Sequence, residues 1–307
     1  MTLPSVSVVI PTRDRLDMVL RAVRSVLAQQ LPPAELLVVD DGGASDLSRR
    51  LREIATPGRL RLHVLRGPRR GPGAARNVGV QAARGDLVAF LDDDDIWLPH
   101  KLDWQVPWFV RQPRLGLLGS GRIAAERMPV PVAPPRARPT RLQRVSRAAL
   151  IRANRFATST VVVRRECIDE CSGFDESLVL AQDWDLWLRI AGPWRAAMLP
   201  APLAVYTVHG GQRSADSAAM REWEVAVLER LLNRPNGPTG RLRAIARRRL
   251  AWAHCRVGRA LLRSARVEEA RACFISSLSC HMFQPMAWAG LARCALLGTA
   301  RAGGRST

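Results

Sequence analysis

The 307-residue chain sets 47 basic residues against 27 acids for a formal charge of +20, and Lys101 is its only lysine. A hydrophobic share of 47 % supports a real core and excludes global disorder, and at ~150 residues per domain the length points to about two domains. The charge invites polyanions such as nucleotide phosphates or anionic lipid, but no helix-turn-helix, zinc-finger or aromatic RNA-binding signature accompanies it, so nucleic acid is not an expected partner.

The chain opens on "SVSVVIP" (5–11), a β-branched apolar run, and "ELLVVDDGG" (35–43) is another. Between them Leu16, Val19, Leu20, Val23, Val26 and Leu27 recur at helical spacing, which makes a βαβ unit with parallel strands. "LSRRLREIA" predicts a second helix, "LRLHVLR" a third strand, "GAARNVGVQAA" a third helix and "DLVAFLDDDD" a fourth strand. The alternation predicts an α/β fold with a mostly parallel open sheet, whose ligands bind beyond the carboxyl ends of the strands. Polar residues gather at that edge: Thr12, Arg13 and Asp14 after the first strand, Asp40 and Asp41 after the second, Asp92 to Asp95 after the fourth. An acid run by itself is usually a solvated turn, and Asp14 and Asp41 also suit a helix cap and a turn. Convergence of three strand ends favours a ligand crevice, with carboxylates suited to a divalent cation and phosphates.

Further on, 129–147 is a Pro- and Arg-rich loop, "TSTVVVRRECI" (158–168) returns to strand, 173–191 is a turn then a helix, and 196–209 is a late strand. Beyond about residue 215 the chain becomes arginine-rich helix, with a faint tetratricopeptide rhythm over 248–292 that one unit cannot sustain as a repeat array. The domains expected are 1–214 and a basic α-helical region at 215–307, whose arginine faces are either solvated or in peripheral contact with an anionic membrane surface. The six cysteines form no CxxC pair and read as reduced thiols. The first strand leaves no room for a signal peptide, and no apolar stretch reaches the ~20 residues of a membrane span. A cytoplasmic protein, soluble or peripheral at the cytoplasmic face of the membrane, is expected.

Four segments together carry a resemblance: "VSVVIPTRDR", "LLVVDDGGASD", "GPGAARNVGVQAARGDLVAFLDDDDIWLPHKL" and "GFDESLVLAQDWDLWLRIA". In this order they are similar to family 2 glycosyltransferases of the GT-A (Rossmann-like) fold, over about residues 5–213. The resemblance implies an inverting, metal-dependent transfer of a sugar from a nucleotide-sugar donor, UDP-sugar by family habit, to a glycan, lipid-linked or small-molecule acceptor in cell-surface glycan or polysaccharide biosynthesis. It implies that Thr12, Asp14, Asp40, Asp41, Arg76, Asp92 and Asp93 bind the nucleotide sugar. Asp94 and Asp92, sometimes joined by His209, would hold Mg²⁺ or Mn²⁺. The block of four aspartates leaves the register of the DxD pair open. Asp183 matches the general base, while Gln182 stands where glutamate is commoner. Asp185 is the competing acid, but its place in the helix points it elsewhere. No Gln-x-x-Arg-Trp segment follows, which implies transfer of single sugars. Two other readings stay in view: a catalytically lapsed nucleotide-sugar-binding protein, to which Gln182 points, and a sugar-phosphate nucleotidyltransferase, whose glycine-rich loop "PTRDRLD" lacks.

Overall fold

The computed structural model describes residues 2–43, 46–54, 60–126, 137–208 and 217–303. It divides into two compact units, Met1–Leu150 with Asn154–Gly211, and Ile151–Ala153 with Gln212–Thr307.

In the first unit β1 (Val6–Thr12), α1 (Leu16–Leu27), β2 (Glu35–Asp40), α2 (Leu47–Arg52), β3 (Arg61–Arg66), α3 (Pro72–Ala82) and β4 (Leu87–Phe90) alternate as the periodicity predicts. The four strands are parallel in the order β3-β2-β1-β4, with Thr12 in register with Asp40 and Val9 with Phe90. Both faces of this sheet are covered, so β1 and β2 are near-continuous runs of buried Val, Ile and Leu. The register delivers Asp40 and the residues after Phe90 to one edge of the sheet.

Beyond β4 the sheet is extended by a mixed half. β5 (Ile96–Trp97) and α4 (Lys101–Arg111) follow the acidic turn, then come β6 (Leu115–Ala125), β7 (Gln143–Val145), α5 (Arg147–Arg152), a single 3₁₀ turn (Thr158–Thr160), β8 (Val162–Arg164), α6 (Arg165–Glu170), α7 (Gln182–Ile190) and β9 (Arg195–Thr207). β8 lies antiparallel between β4 and β6, and β9 runs parallel to β6, completing a nine-stranded sheet with β5 at the far edge and β7 on β9. Because β8 pairs with β4, the chain just before β8 is carried to the ends of β1 and β4. Of the Pro- and Arg-rich loop, 129–136 lie outside the described residues and 143–145 form β7.

The second unit holds α8 (Ser217–Asn233), α9 (Gly240–Arg263), α10 (Val267–Cys280) and α11 (Pro285–Gly303), with a small core of Cys255, Ala270, Phe274, Ala287 and Cys294. All six cysteines are free thiols. Among the described residues no helix is long and apolar enough to cross a membrane.

α3 reaches the sheet through Gly79, where an added Cβ would sit 2.4 Å from Val9 Cγ1 and 3.3 Å from Val39 Cγ2. Both valines are fully buried and have nowhere to yield. Gly79→Ala is expected to lower stability by about 1–3 kcal/mol through overpacking, measured by urea unfolding.

Candidate active site

The strand ends meet as the register requires. Asp14, in the left-handed region at φ 53°, lays its carboxylate over Gly42, where a Cβ would be 2.4 Å from Asp14 Oδ1. Only glycine permits that approach of the β1 and β2 ends. Asp40 accepts the backbone N–H groups of Gly42 (3.0 Å) and Gly43 (2.8 Å) through Oδ1 and so closes its own turn. Asp41 is buried, and its two oxygens accept the N–H groups of Arg69 (2.6 Å) and Gly71 (2.9 Å), fixing the loop that leads into α3. Asp41 is thus occupied with backbone, while Asp14 and Asp40 remain at the rim.

The four aspartates divide by alternate burial. Asp93 and Asp95 are 6 % and 2 % exposed, while the side chains of Asp92 and Asp94 are 32 % and 14 % exposed. Asp93 accepts the Thr12 hydroxyl at 2.8 Å and Arg15 Nη1 at 3.2 Å. Asp95 accepts the Ser159 hydroxyl and, at 3.0 Å, the backbone N–H of Thr207. Burial pushes both carboxyls up, Asp95 to about 8, and the neighbouring aspartate charges add to it. Ser159 also accepts the N–H of Asp92 at 3.1 Å, and its carbonyl accepts Trp97 Nε1 at 2.7 Å. Beneath the turn, Lys101 is wholly buried, donates to Gln105 Oε1 at 2.7 Å and lies 4.4 Å from the centre of the Trp97 ring; burial lowers its pKa. Thr12 and Asp93, expected at the nucleotide, are bonded to each other, and Asp93 gives its second oxygen to Arg15.

The second centre opens α7. Ala181, at φ 58°, takes a left-handed conformation that costs a non-glycine residue about 1–3 kcal/mol, and it aims Gln182 and Asp183 out of the helix start. Asp183 accepts Asn154 Nδ2 at 2.9 Å, the Thr158 hydroxyl at 3.4 Å and the Trp184 N–H at 2.7 Å. Desolvation raises its pKa despite these donors. Asp185 points the other way, fully buried, with Arg189 Nε and Nη2 both at 2.9 Å. It serves the packing of α7. Trp97, Trp184 and Trp187 are core side chains, each 3 % exposed or less.

Arg76 joins the two centres. Its guanidinium is buried; Nη2 is ion-paired with Asp92, Nη1 donates to Gln182 Oε1 at 3.3 Å, and Nε has no partner among the described residues. Gln182 in turn donates to the Val179 carbonyl at 2.7 Å. An amide thus accepts from Arg76 where a glutamate would, leaving the full positive charge to Asp92. On the other side Arg15 Nη1 reaches Asp94 at 3.1 Å. The open pair of carboxylates is therefore flanked by two guanidiniums.

Sequence reasoning missed Arg15, Asn154, Thr158 and Ser159. Arg15 stood in the quoted "PTRDR" and Asn154 in an unread loop, while Thr158 and Ser159 open the stretch read as strand from 158 but form a 3₁₀ turn before the strand begins at Val162. His209 lies outside the described residues. Among the described residues no group of three His, Cys, Asp or Glu side chains has metal-ligand spacing. Mg²⁺ is ordinarily held by one or two carboxylates plus phosphates, and the carboxylates of Asp92 and Asp94 are hard oxygen donors of the kind that demand calls for.

Known proteins share this framework. The family described as "Glycosyl transferase family 2" matches residues 7–163, just over half the chain. Succinoglycan biosynthesis protein ExoW of Rhizobium meliloti (strain 1021) is 42 % identical over 99 residues, 31 % of each chain. The chain spans from 16 % to 31 % of the length of the first curated relatives it matches. S. aureus TarS 1-349 in complex with UDP-GlcNAc superposes with a TM-score of 0.65 at 16 % identity, over 97 % of this chain and 92 % of that one. Mannosyltransferase PcManGT from Pyrobaculum calidifontis, in complex with GDP-Man and Mn2+, gives a TM-score of 0.63 at 21 % identity, over 98 % of this chain and 80 % of that one. These likenesses establish the GT-A fold.

Ser159 is the hinge of the acidic turn, and its removal is informative. Ser159→Ala leaves Asp95 with one donor and Asp92 N–H without its acceptor. Thermal or urea unfolding should show a loss of about 1–3 kcal/mol.

Proposed function

This chain belongs to glycosyl transferase family 2, and on that premise we propose that it moves one sugar from a nucleotide-sugar donor to an acceptor hydroxyl, with inversion at the anomeric carbon. The observation that carries the reading is the Arg76 bridge, which ties the Asp92 turn to the Gln182–Asp183 start of α7 through one buried cation. An acidic turn suited to a cation that meets phosphates, and a desolvated carboxylate at the start of α7, are what an activated-sugar transfer requires.

Asp14 and Asp40 rim the pocket for the nucleoside, Asp40 accepting a base N–H through the oxygen its turn does not use. Thr12, Asp41 and Asp93 act by position, shaping the loops around that pocket. Asp92 and Asp94 would hold Mg²⁺ or Mn²⁺, with His209 as the further ligand that the family resemblance suggests. A bound divalent cation stabilises the negative charge that develops on the departing nucleoside diphosphate. Arg15 and Arg76, each beside one of those carboxylates, add donors aimed at the same phosphates.

Asp183 takes the proton of the acceptor hydroxyl as its oxygen attacks the anomeric carbon. The new glycosidic C–O bond forms on the face opposite the diphosphate, whose own C–O bond breaks and whose oxygen leaves with the electron pair. Burial raises the proton affinity of Asp183, which favours it as an acceptor, and the three donors around it hold one orientation. TarS binding UDP-GlcNAc makes uridine diphosphate sugars the first donors to test, and ExoW's place in succinoglycan synthesis points to assembly of a polysaccharide or its lipid-linked precursor. Catalysis belongs on this reading to the first unit, Met1–Leu150 with Asn154–Gly211, close to the 1–214 expected from sequence, with the helical region a separate functional part.

Asp183→Asn is expected to lower turnover by about 10²–10⁴-fold, read as nucleoside diphosphate release, with donor binding by thermal shift unchanged. Turnover equal to the wild type would remove the base assignment, and release of pyrophosphate would favour a nucleotidyltransferase. The base must be ionised. With its pKa raised above the usual carboxylate range, kcat/KM falls as pH drops through that raised value, and the acid limb lies at a higher pH than a solvated aspartate gives.

A further inference from the structure

The second unit presents a surface that its own core does not explain. α9 carries eight arginines and no acid, and Arg248, Trp252, Arg256, Arg259 and Arg263 recur every three or four residues along one stripe. Trp252 is 39 % exposed and lies between two guanidiniums, Arg249 at 4.5 Å and Arg256 at 4.6 Å from its ring. Glu224 neutralises part of that pair, whereas Arg248 and Arg263 have no ion-pair partner among the described residues.

Against the stripe stands the turn between α10 and α11, and it is apolar where a turn is ordinarily polar. Phe283 is 80 % exposed, Met282 63 % and Trp288 58 %. Trp288 Nε1 donates to the Met282 carbonyl at 3.0 Å, so its indole N–H is satisfied within the turn and its ring stays outward. Arg259 reaches Met286 Sδ at 3.6 Å, and Arg247 binds the Ser279 and Cys280 carbonyls, which keeps the turn against α9. Between stripe and turn lies a cavity of about 500 Å³ lined by Arg152, Arg248, Arg249, Trp252, His281 and Phe283.

We propose that this face of the helical unit docks on an anionic phospholipid bilayer, with lipid phosphates in the arginine-lined cavity and Met282, Phe283 and Trp288 entering the headgroup–acyl boundary. Exposed aromatic and thioether groups beside unpaired arginines match an interface that is apolar below and anionic above. A protein partner or nucleic acid would engage the charge but has no need of a protruding Phe–Met–Trp tip. The inference is independent of the transferase reading, because it concerns the second unit alone.

The test is flotation of the full chain with vesicles of phosphatidylcholine alone and of phosphatidylcholine mixed with phosphatidylglycerol. Inorganic phosphate and a random RNA oligonucleotide serve as competitors. The expected result is binding to the mixed vesicles only, weakened by salt and unaffected by free phosphate. Arg248→Glu with Arg259→Glu should reduce partition by at least about 25-fold, at roughly fivefold for each arginine near an anionic surface. Phe283→Ser with Trp288→Ser should reduce it by at least about tenfold, through lost apolar insertion, at an unchanged melting temperature. Absence of binding to the mixed vesicles, equal binding to neutral ones, displacement by RNA, or wild-type binding by either folded variant would overturn the proposal.

Discussion

The site depends on the burial of alternate aspartates. Four adjacent carboxylates repel one another, and an exposed run would spread into solvent. Here Thr12 and Arg15 draw Asp93 inward, and Ser159 with the Thr207 N–H draws Asp95 inward. The turn is pinned at two points to different parts of the sheet, which leaves the Asp92 side chain 32 % exposed beside Arg76 and that of Asp94 14 % exposed beside Arg15. Burial and the charges of Asp92 and Asp94 push the Asp95 carboxyl up to about 8, so the turn favours its neutral form more than water would.

The same electrostatics link the halves of the first unit. Arg76 comes from α3 in the parallel half and Gln182 from α7 in the mixed half, and the guanidinium faces both Gln182 and Asp92. A buried charge of this kind is tolerable only when paired. Gln182 accepts from Arg76 without competing for its charge. The difference from the family's commoner glutamate therefore changes the field at Asp92 and leaves the donors around Asp183 intact.

The parallel half was legible because β-branched runs and a 3.6-residue period read directly as βαβ units, and register then sends Thr12, Asp40 and the acidic run to one edge. The stretch 101–125 was not read. α4 carries Pro107 within its span, and β6 is "LGLLGSGRIAA", whose glycines and small residues break both the helical and the alternating period. Nor could the insertion of antiparallel β8 between β4 and β6 be read, since crossover rules speak only for parallel neighbours. That insertion brings Asn154, Thr158 and Ser159 to acids up to 67 residues away in the chain. Asp183 was singled out from its motif, and its immediate partners follow from a strand order that no local pattern encodes. The basic character of the helical region was plain from composition, whereas the exposed Phe283 and Trp288 emerged only with the packing of α10 and α11.

The central proposal is that Asp92 and Asp94 would hold the cation that a bound diphosphate needs. Titration calorimetry of a nucleoside diphosphate into the protein, with and without Mn²⁺, tests it most directly. The account predicts binding that needs the metal and that Asp92→Asn with Asp94→Asn abolishes while the fold remains intact. Equal affinity in chelator and in Mn²⁺, or full binding by the double variant, would contradict it.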